Sequence, residues 1–328
     1  MNSEYFLKKM LAVLLMIGLG MFFLPGQSYQ KMGVSSDDEL EKEIKELSRK
    51  IEEFKRTLKL PADAVPMTFI RTFPGNFFED SEVFLSSGKA IALDGDNHLY
   101  VSDVQYDRIL TFDLKGNFLK QIGRNGQGPG DLYRAYSLMI HDNRLVVYEN
   151  GNNRIQYMDL LGNYRKSFKV FKAYFDVEID GDGYMYATPP GLRDVRKDKL
   201  IDKYNEDGRI VNSFGDPYWD HPLYNEGRIE ISEKGDIIFA FIKFPIMRKY
   251  APSGKLLKEK RIDDPRLDFF EKFNIDYSKN KVRRSRGYGR AFILNQGLAI
   301  GGDRIYMYTN SDPIEILEFD MDLIRHNT

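Results

Sequence analysis

From Met67 onward, apolar and polar residues alternate with a period of two in short runs, the pattern of strands with one buried face. Four runs make a unit: Lys89–Leu93, Leu99–Ser102, Arg108–Leu114 and Phe118–Ile122. Three more units follow: Ser137–Ile140, Leu145–Tyr148, Arg154–Leu160 and Tyr164–Phe168; Phe175–Ile179, Tyr184–Ala187, Leu200–Tyr204 and Ile210–Phe214; Arg228–Ile231, Ile237–Phe241, Met247–Tyr250 and Leu256–Arg261. Between the third and fourth runs a glycine recurs every 46 residues, as Gly116, Gly162, Gly208 and Gly254. Phe112-Asp113-Leu114-Lys115-Gly116-Asn117-Phe118 returns as Met158-Asp159-Leu160-Leu161-Gly162-Asn163-Tyr164. A period of 40–50 residues built from short strands marks a β-propeller blade. The fold class expected is therefore all-β, a β-propeller of four-stranded blades over residues 66–328.

A fifth unit reads Gly297–Ile300, Arg304–Tyr308 and Glu315–Phe319, without an obvious fourth strand. Its turn, Met321-Asp322-Leu323, comes 68 residues after Gly254, which places an insertion at 263–292. Met67–Phe73 alternates like an outer strand and is expected to complete the ring-closing blade, protecting the sheet edges.

Residues 1–30 read as a targeting segment. Lys8-Lys9 precedes a 15-residue apolar run from Met10 to Leu24, then Pro25-Gly26, with Gly26 and Ser28 small enough to flank a cleavage site. The run is short for a spanning helix and suits a signal peptide, retention as an inner-membrane anchor being the alternative. Either way the remainder is expected outside the cytoplasmic membrane, periplasmic or extracellular. Residues 31–61 form a helix or linker: Ser36-Asp37-Asp38-Glu39 is a capping box, and Leu40, Ile44, Leu47, Ile51, Phe54 and Leu58 follow at heptad spacing up to Pro61. That seam could pair two copies in a coiled coil. Lys50 facing Lys55 of a partner opposes this, and an amphipathic spacer is the simpler reading.

The charge balance, 48 basic against 49 acidic residues, offers no global field for nucleic acid. With no cysteine there is no disulfide framework, no thiolate metal site and no Cys nucleophile.

After the fourth strand of the first unit stands Ile122-Gly123-Arg124-Asn125-Gly126-Gln127-Gly128-Pro129-Gly130. With Leu99-Tyr100-Val101-Ser102-Asp103 and Asp107-Arg108-Ile109, it looks like the NHL-type repeat, and more closely the chain resembles the bacterial six-bladed β-propeller family of exported envelope proteins. The likeness runs from Met67 to the end, is most specific in the first two units, and extends to the insertion before the fifth. It implies six blades where five units are visible. Two expectations stay open: a five-bladed ring closed by Met67–Phe73, or a copy of the six-bladed fold lacking its last blade.

Propeller sites lie where the loops from strand 2 to 3 and from strand 4 to the next strand 1 gather. Asp103, Asp107, Glu149 and Asn152 fall on loops of the first kind, oxygen donors that would suit a hard cation such as calcium. The competing reading is turn structure, since Asp and Asn side chains bond neighbouring amides, and Arg108 and Arg154 recur with the repeat. Asp94-Gly95-Asp96 and Asp180-Gly181-Asp182-Gly183 resemble calcium loops but lack the following bidentate Glu, so hairpin turns are expected. The four histidines, His98, His141, His221 and His326, have no zinc-site spacing, and no GxSxG elbow occurs.

Tyr218, Trp219, His221 and Tyr224 cluster on a loop of the second kind, a contact surface or a plug over a blade core. Arg284 and Arg286 head a basic stretch from Lys279 to Arg290 that would suit anionic glycans or an acidic surface, or is simply solvated. The candidate ligand-binding set is thus Asp103, Asp107, Glu149, Asn152, Tyr218, Trp219, His221, Arg284 and Arg286. No residue is assigned as catalytic, and no cofactor is called for beyond that calcium. The leading expectation is an exported binding or scaffold propeller presenting its loop rim to a protein or glycan. The alternative is a calcium- or zinc-dependent propeller enzyme of lactonase or lyase type.

Overall fold

The computed structural model describes residues 84–264, 295–309 and 315–326, with Arg49 and six positions between Leu267 and Ile275. The segment 1–30, the heptad seam apart from a helical Arg49, the strand expected at Met67–Phe73, and the basic stretch with Arg284 and Arg286 lie outside them.

The first blade holds β1 (Gly88–Leu93), β2 (Leu99–Asp103), β3 (Arg108–Phe112) and β4 (Phe118–Ile122). The second holds β5 (Ala135–His141), β6 (Arg144–Glu149), β7 (Arg154–Asp159) and β8 (Tyr164–Lys169). The third holds β9 (Asp176–Ile179), β10 (Met185–Thr188), β11 (Ile201–Tyr204) and β12 (Ile210–Phe214). The fourth holds β13 (Gly227–Ile231), β14 (Ile237–Phe241), β15 (Ile246–Tyr250) and β16 (Leu256–Arg261). The fifth holds β17 (Asn295–Gly301), β18 (Arg304–Thr309), β19 (Glu315–Asp320) and β20 (Arg325–His326).

Each blade is an antiparallel meander of four strands, and the innermost strands pack in chain order: β1 on β5, β5 on β9, β9 on β13, β13 on β17. The strand β20 corrects one expectation. The fifth blade has its own fourth strand, paired with β19, so no N-terminal strand is needed to fill that place. Two residues after a polar turn carry too little alternation to be read as a strand.

The blades are held face to face by their middle strands. Tyr100, Ile109 and Ile122 of the first blade bury against Leu138, Leu145, Val147 and Met158 of the second. The second meets the third through Val146, Tyr148, Tyr157, Val177 and Met185. Tyr186, Ile201 and Phe214 meet Phe239, Ile246 and Tyr250 of the fourth, and Ile238 and Met247 meet Ile305, Met307 and Leu317 of the fifth.

Two physical demands explain the 46-residue glycines. Each stands in the turn between the third and fourth strands with φ between 78° and 93°, a left-handed conformation that a side chain resists. Each of the last three also sits under the preceding blade. A Cβ on Gly162, Gly208 or Gly254 would lie 2.8, 2.3 or 2.7 Å from Ile122, Phe168 or Phe214, residues that are themselves 46 apart. The turn is fastened by its first residue: Asp113 Oδ1 accepts the amides of Lys115 and Asn117, and Asp159, Asn205 and Asp320 repeat the bond in later blades. Gly95 is a contrast, with neither a positive φ nor an atom within 4 Å of a Cβ. Gly95→Ala is expected to leave the urea midpoint unchanged or raise it slightly, within about 0.5 kcal/mol.

Candidate functional site

Because each blade runs inside to outside, the β2–β3, β4–β5 and equivalent loops emerge at one end of the ring. The first two blades share a clamp there. In blade one the buried Asp103 carboxylate accepts the amides of Ser86 (3.3 Å) and Ser87 (3.0 Å) and Arg108 Nε (3.2 Å). Blade two repeats it with Glu149, which accepts Tyr133 N (2.9 Å), Asn152 Nδ2 (2.7 Å) and Arg154 Nε (2.5 Å). In both, an acid at the end of the second strand receives the chain arriving at the first.

Arg154 goes further. Its guanidinium donates to the carbonyls of Gln127, Gly128 and Asp131, and Asn152 donates to that of Gly126. The glycine-rich loop is therefore pinned by side chains of blade two. Asp107, at φ 49°, accepts Asn125 Nδ2 (2.5 Å) and Arg134 N (2.7 Å), fixing the two ends of the same loop. Asp103, Asp107, Glu149 and Asn152 are thus brought to one end of the ring, with their oxygens and amide groups engaged by the loops. Among the described residues, no group of three or more His, Asp and Glu is placed to hold a metal ion.

At the opposite end Asp94 and Asp180 hold hairpin turns. Asp94 accepts the amides of Asp96 and His98 and the Tyr100 hydroxyl, and Asp180 accepts those of Asp182 and Tyr184 and the Tyr186 hydroxyl.

The aromatic loop before β13 lies apart from the clamps. Tyr218 packs on Phe241 and Phe244 (ring centroids 5.6 and 5.0 Å), Trp219 on Phe244 (5.8 Å) and His221 on Tyr224 (4.8 Å). Asn225 ties the loop by accepting the amides of Tyr218 and Trp219 and donating to the carbonyls of Trp219 and His221. Tyr218, Trp219 and His221 stay half-buried over the fourth blade.

A second group at the loop end comes from the innermost strands, which loop-by-loop sequence reasoning did not single out. Lys89 (β1), Tyr136 (β5), Asp176 (β9) and Arg228 (β13) occupy the first or second position of four successive inner strands, which sets them side by side at the mouth of the central channel. β-Bulges re-aim the residues at Lys89 and Tyr136, where the pairing skips from Gly88 to Ile91 and from Ala135 to Ser137. The Lys89 ammonium stands 5.2 Å from the Tyr136 ring, and the Arg228 guanidinium 5.1 Å from that of Phe175. Among the described residues, Arg228 Nε is buried and donates to no acceptor. Lys89 is exposed, with protein crowding its ammonium on one side. Desolvation and then Arg228 push its ammonium below the usual lysine range, with Asp176 opposing. Burial raises the Asp176 carboxyl, against the pull of Arg228, of the Ile229 amide it accepts at 3.1 Å, and of Lys89. Nearby, Glu226 pairs with Lys243; burial raises the Glu226 carboxyl and Lys243 lowers it.

Exposed aromatics stand on the same end: Tyr106 on the β2–β3 loop, Tyr133 on the β4–β5 loop and Phe171, 81% exposed, on the β8–β9 loop. Isolated apolar residues on a surface are ordinary, but these three stand on loops of the same end.

With five such blades in place, the chain matches the 6-bladed beta-propeller family over residues 82–281. The chain belongs to that family. Five four-stranded sheets are present among the described residues, against the six of the family's description. No curated protein matches the chain. Among solved structures it is similar to a Bacteroides fragilis NCTC 9343 protein named as exported, at 14% identity and a TM-score of 0.55, covering 76% of this chain and 72% of that one. It is also similar to a catalytically inactive variant of virginiamycin B lyase from Staphylococcus aureus with quinupristin, at 14% identity and TM-score 0.45, covering 71% and 70%. A Bacteroides caccae protein of unknown function has 11% identity and TM-score 0.48, covering 72% and 79%. At these identities the likeness is one of fold.

Proposed function

We propose that this propeller is an exported binding module whose loop end, with the channel mouth at its centre, receives a soluble glycan. The observation that carries this reading is a division of labour at one end of the ring. The acids that could have served as metal ligands, Asp103 and Glu149, are spent on arriving backbone and arginines. Among the groups left toward solvent are Lys89, part of Arg228 and the rim aromatics. Such a mixture of ring faces and cations suits recognition of sugars, whose apolar faces stack on aromatics. Export rests on the apolar run from Met10 to Leu24 behind Lys8-Lys9.

The test is an incubation of the purified protein with a panel of soluble polysaccharides, neutral and anionic, measured for both binding and products. Saturable binding, with neither new reducing ends nor unsaturated sugars after long incubation, is expected. Product release that a substitution at the loop end abolishes would replace this reading with the lyase- or lactonase-type alternative.

A further inference from the structure

The channel mouth has features that a scaffold does not need. Lys89 and Arg228 come from the first and fourth blades yet stand close enough to repel each other; Lys89 is exposed and Arg228 half-buried. A fold selected for stability alone would place an apolar or neutral residue at one of these positions, because a like-charge pair with one partner half-buried costs free energy. Asp176 does not cancel them. Even fully ionised it carries only one negative charge against two positive ones, and one of its oxygens is engaged by the Ile229 amide. The bulges at Lys89 and Tyr136 are matched by one between Asn295 and Gly297 on β17 and belong to the repeat, whereas the cation placed on the first of them does not recur. Arg228 meanwhile holds a buried Nε that donates to no acceptor among the described residues. An unmade hydrogen bond on a buried charged group is costly, which is the condition of a site waiting for an acceptor.

We propose that Lys89 and Arg228 form a binding site for a carboxylate group at the channel mouth, with Asp176 limiting it to a single negative charge. With Asp176 ionised beside them, the two cations and one carboxylate sum to +1, which a monoanion neutralises. A dianion such as phosphate near neutral pH would be over-charged for the site and repelled by Asp176. The planar guanidinium offers a carboxylate two parallel donors, and the ammonium adds a mobile third. Tyr136 and Phe175 stand beneath the cations and leave an apolar wall for the body of the ligand. Resting on the glycan reading above, the group is the carboxylate of a uronic acid; a peptide's terminal carboxylate would offer the same chemistry.

The experiment is a calorimetric titration of the full protein with sodium glucuronate, N-acetylalanine, glucose and inorganic phosphate. Glucuronate is expected to bind, more tightly than phosphate, with glucose weakest. Lys89→Met and Arg228→Met are each expected to weaken glucuronate about tenfold or more, the loss of one charged donor. N-acetylalanine binding more tightly than glucuronate would keep the carboxylate site and assign its source to peptide ends. Failure of every carboxylate to bind better than glucose, phosphate binding more tightly than both carboxylates, or both variants titrating like wild type would overturn the proposal. A second readout needs no ligand: Lys89→Met removes a repelled charge, so its urea midpoint should equal or exceed that of wild type. A clear fall would show that Lys89 holds the ring together instead. Because small solutes are used, the site can fail while polysaccharide binding stands, and the reverse.

Discussion

Arg154→Met is expected to lower the stability of the propeller by about 3–5 kcal/mol, the cost of stripping one partner from a buried ion pair. Glu149 is fully buried beside it, and methionine fills the volume without replacing a single donor. Three carbonyls of the glycine-rich loop, those of Gln127, Gly128 and Asp131, lose their guanidinium at the same time. Two readouts follow: a fall in the urea midpoint, and faster proteolytic cutting between Gly126 and Gly130. The matching pair in the first blade holds less: Arg108 bonds Asp103 at 3.2 Å and, besides the Gln121 side chain, a single backbone carbonyl, that of Phe84. Arg108→Met should therefore cost less, about 1–3 kcal/mol. Equal, small losses in the two variants would show that the clamp does not organise the loop.

The second large effect is at Gly208. Alanine there must adopt φ near 78°, worth about 1–2 kcal/mol of strain, and its Cβ would lie 2.3 Å from Phe168 Cδ2. Phe168 is stacked on Tyr204 with centroids 6.4 Å apart, so the ring cannot withdraw without opening the contact between the second and third blades. Adding a typical overpacking cost of about 1–3 kcal/mol, Gly208→Ala should lose about 2–5 kcal/mol. Denaturant unfolding checks this, with Gly95→Ala as the control that changes the same atoms in open space.

Much of this framework was legible before any coordinate. The glycine period marked the turns, because left-handed backbone and close inter-blade approach both exclude a side chain and so leave a mark in sequence. Recurrence of Arg108 and Arg154 was equally visible, and the structure joins each to an acid five residues earlier. What recurrence could not convey was direction: the same Asp and Glu serve a cation site or a backbone clamp, and only the positions of the Ser87 and Tyr133 amides decide. The Trp219 loop drew attention by breaking the repeat, and in the structure its rings pack on Phe241 and Phe244. The channel mouth left almost no sequence signal. Lys89, Asp176 and Arg228 are single polar residues at strand starts, 87 and 52 positions apart, and the bulges that aim the first inner strands depend on pairing, not composition. The side-by-side packing of the inner strands brings them together.

The urea midpoints of wild type and Glu149→Gln, each measured in excess chelator and in excess calcium, decide whether the loop-end acids serve as scaffold or as metal ligands. The clamp predicts that Glu149→Gln is destabilised by the same amount in both media and that wild type does not respond to calcium. A wild-type midpoint that rises with calcium, with the gain abolished by Glu149→Gln, would contradict it.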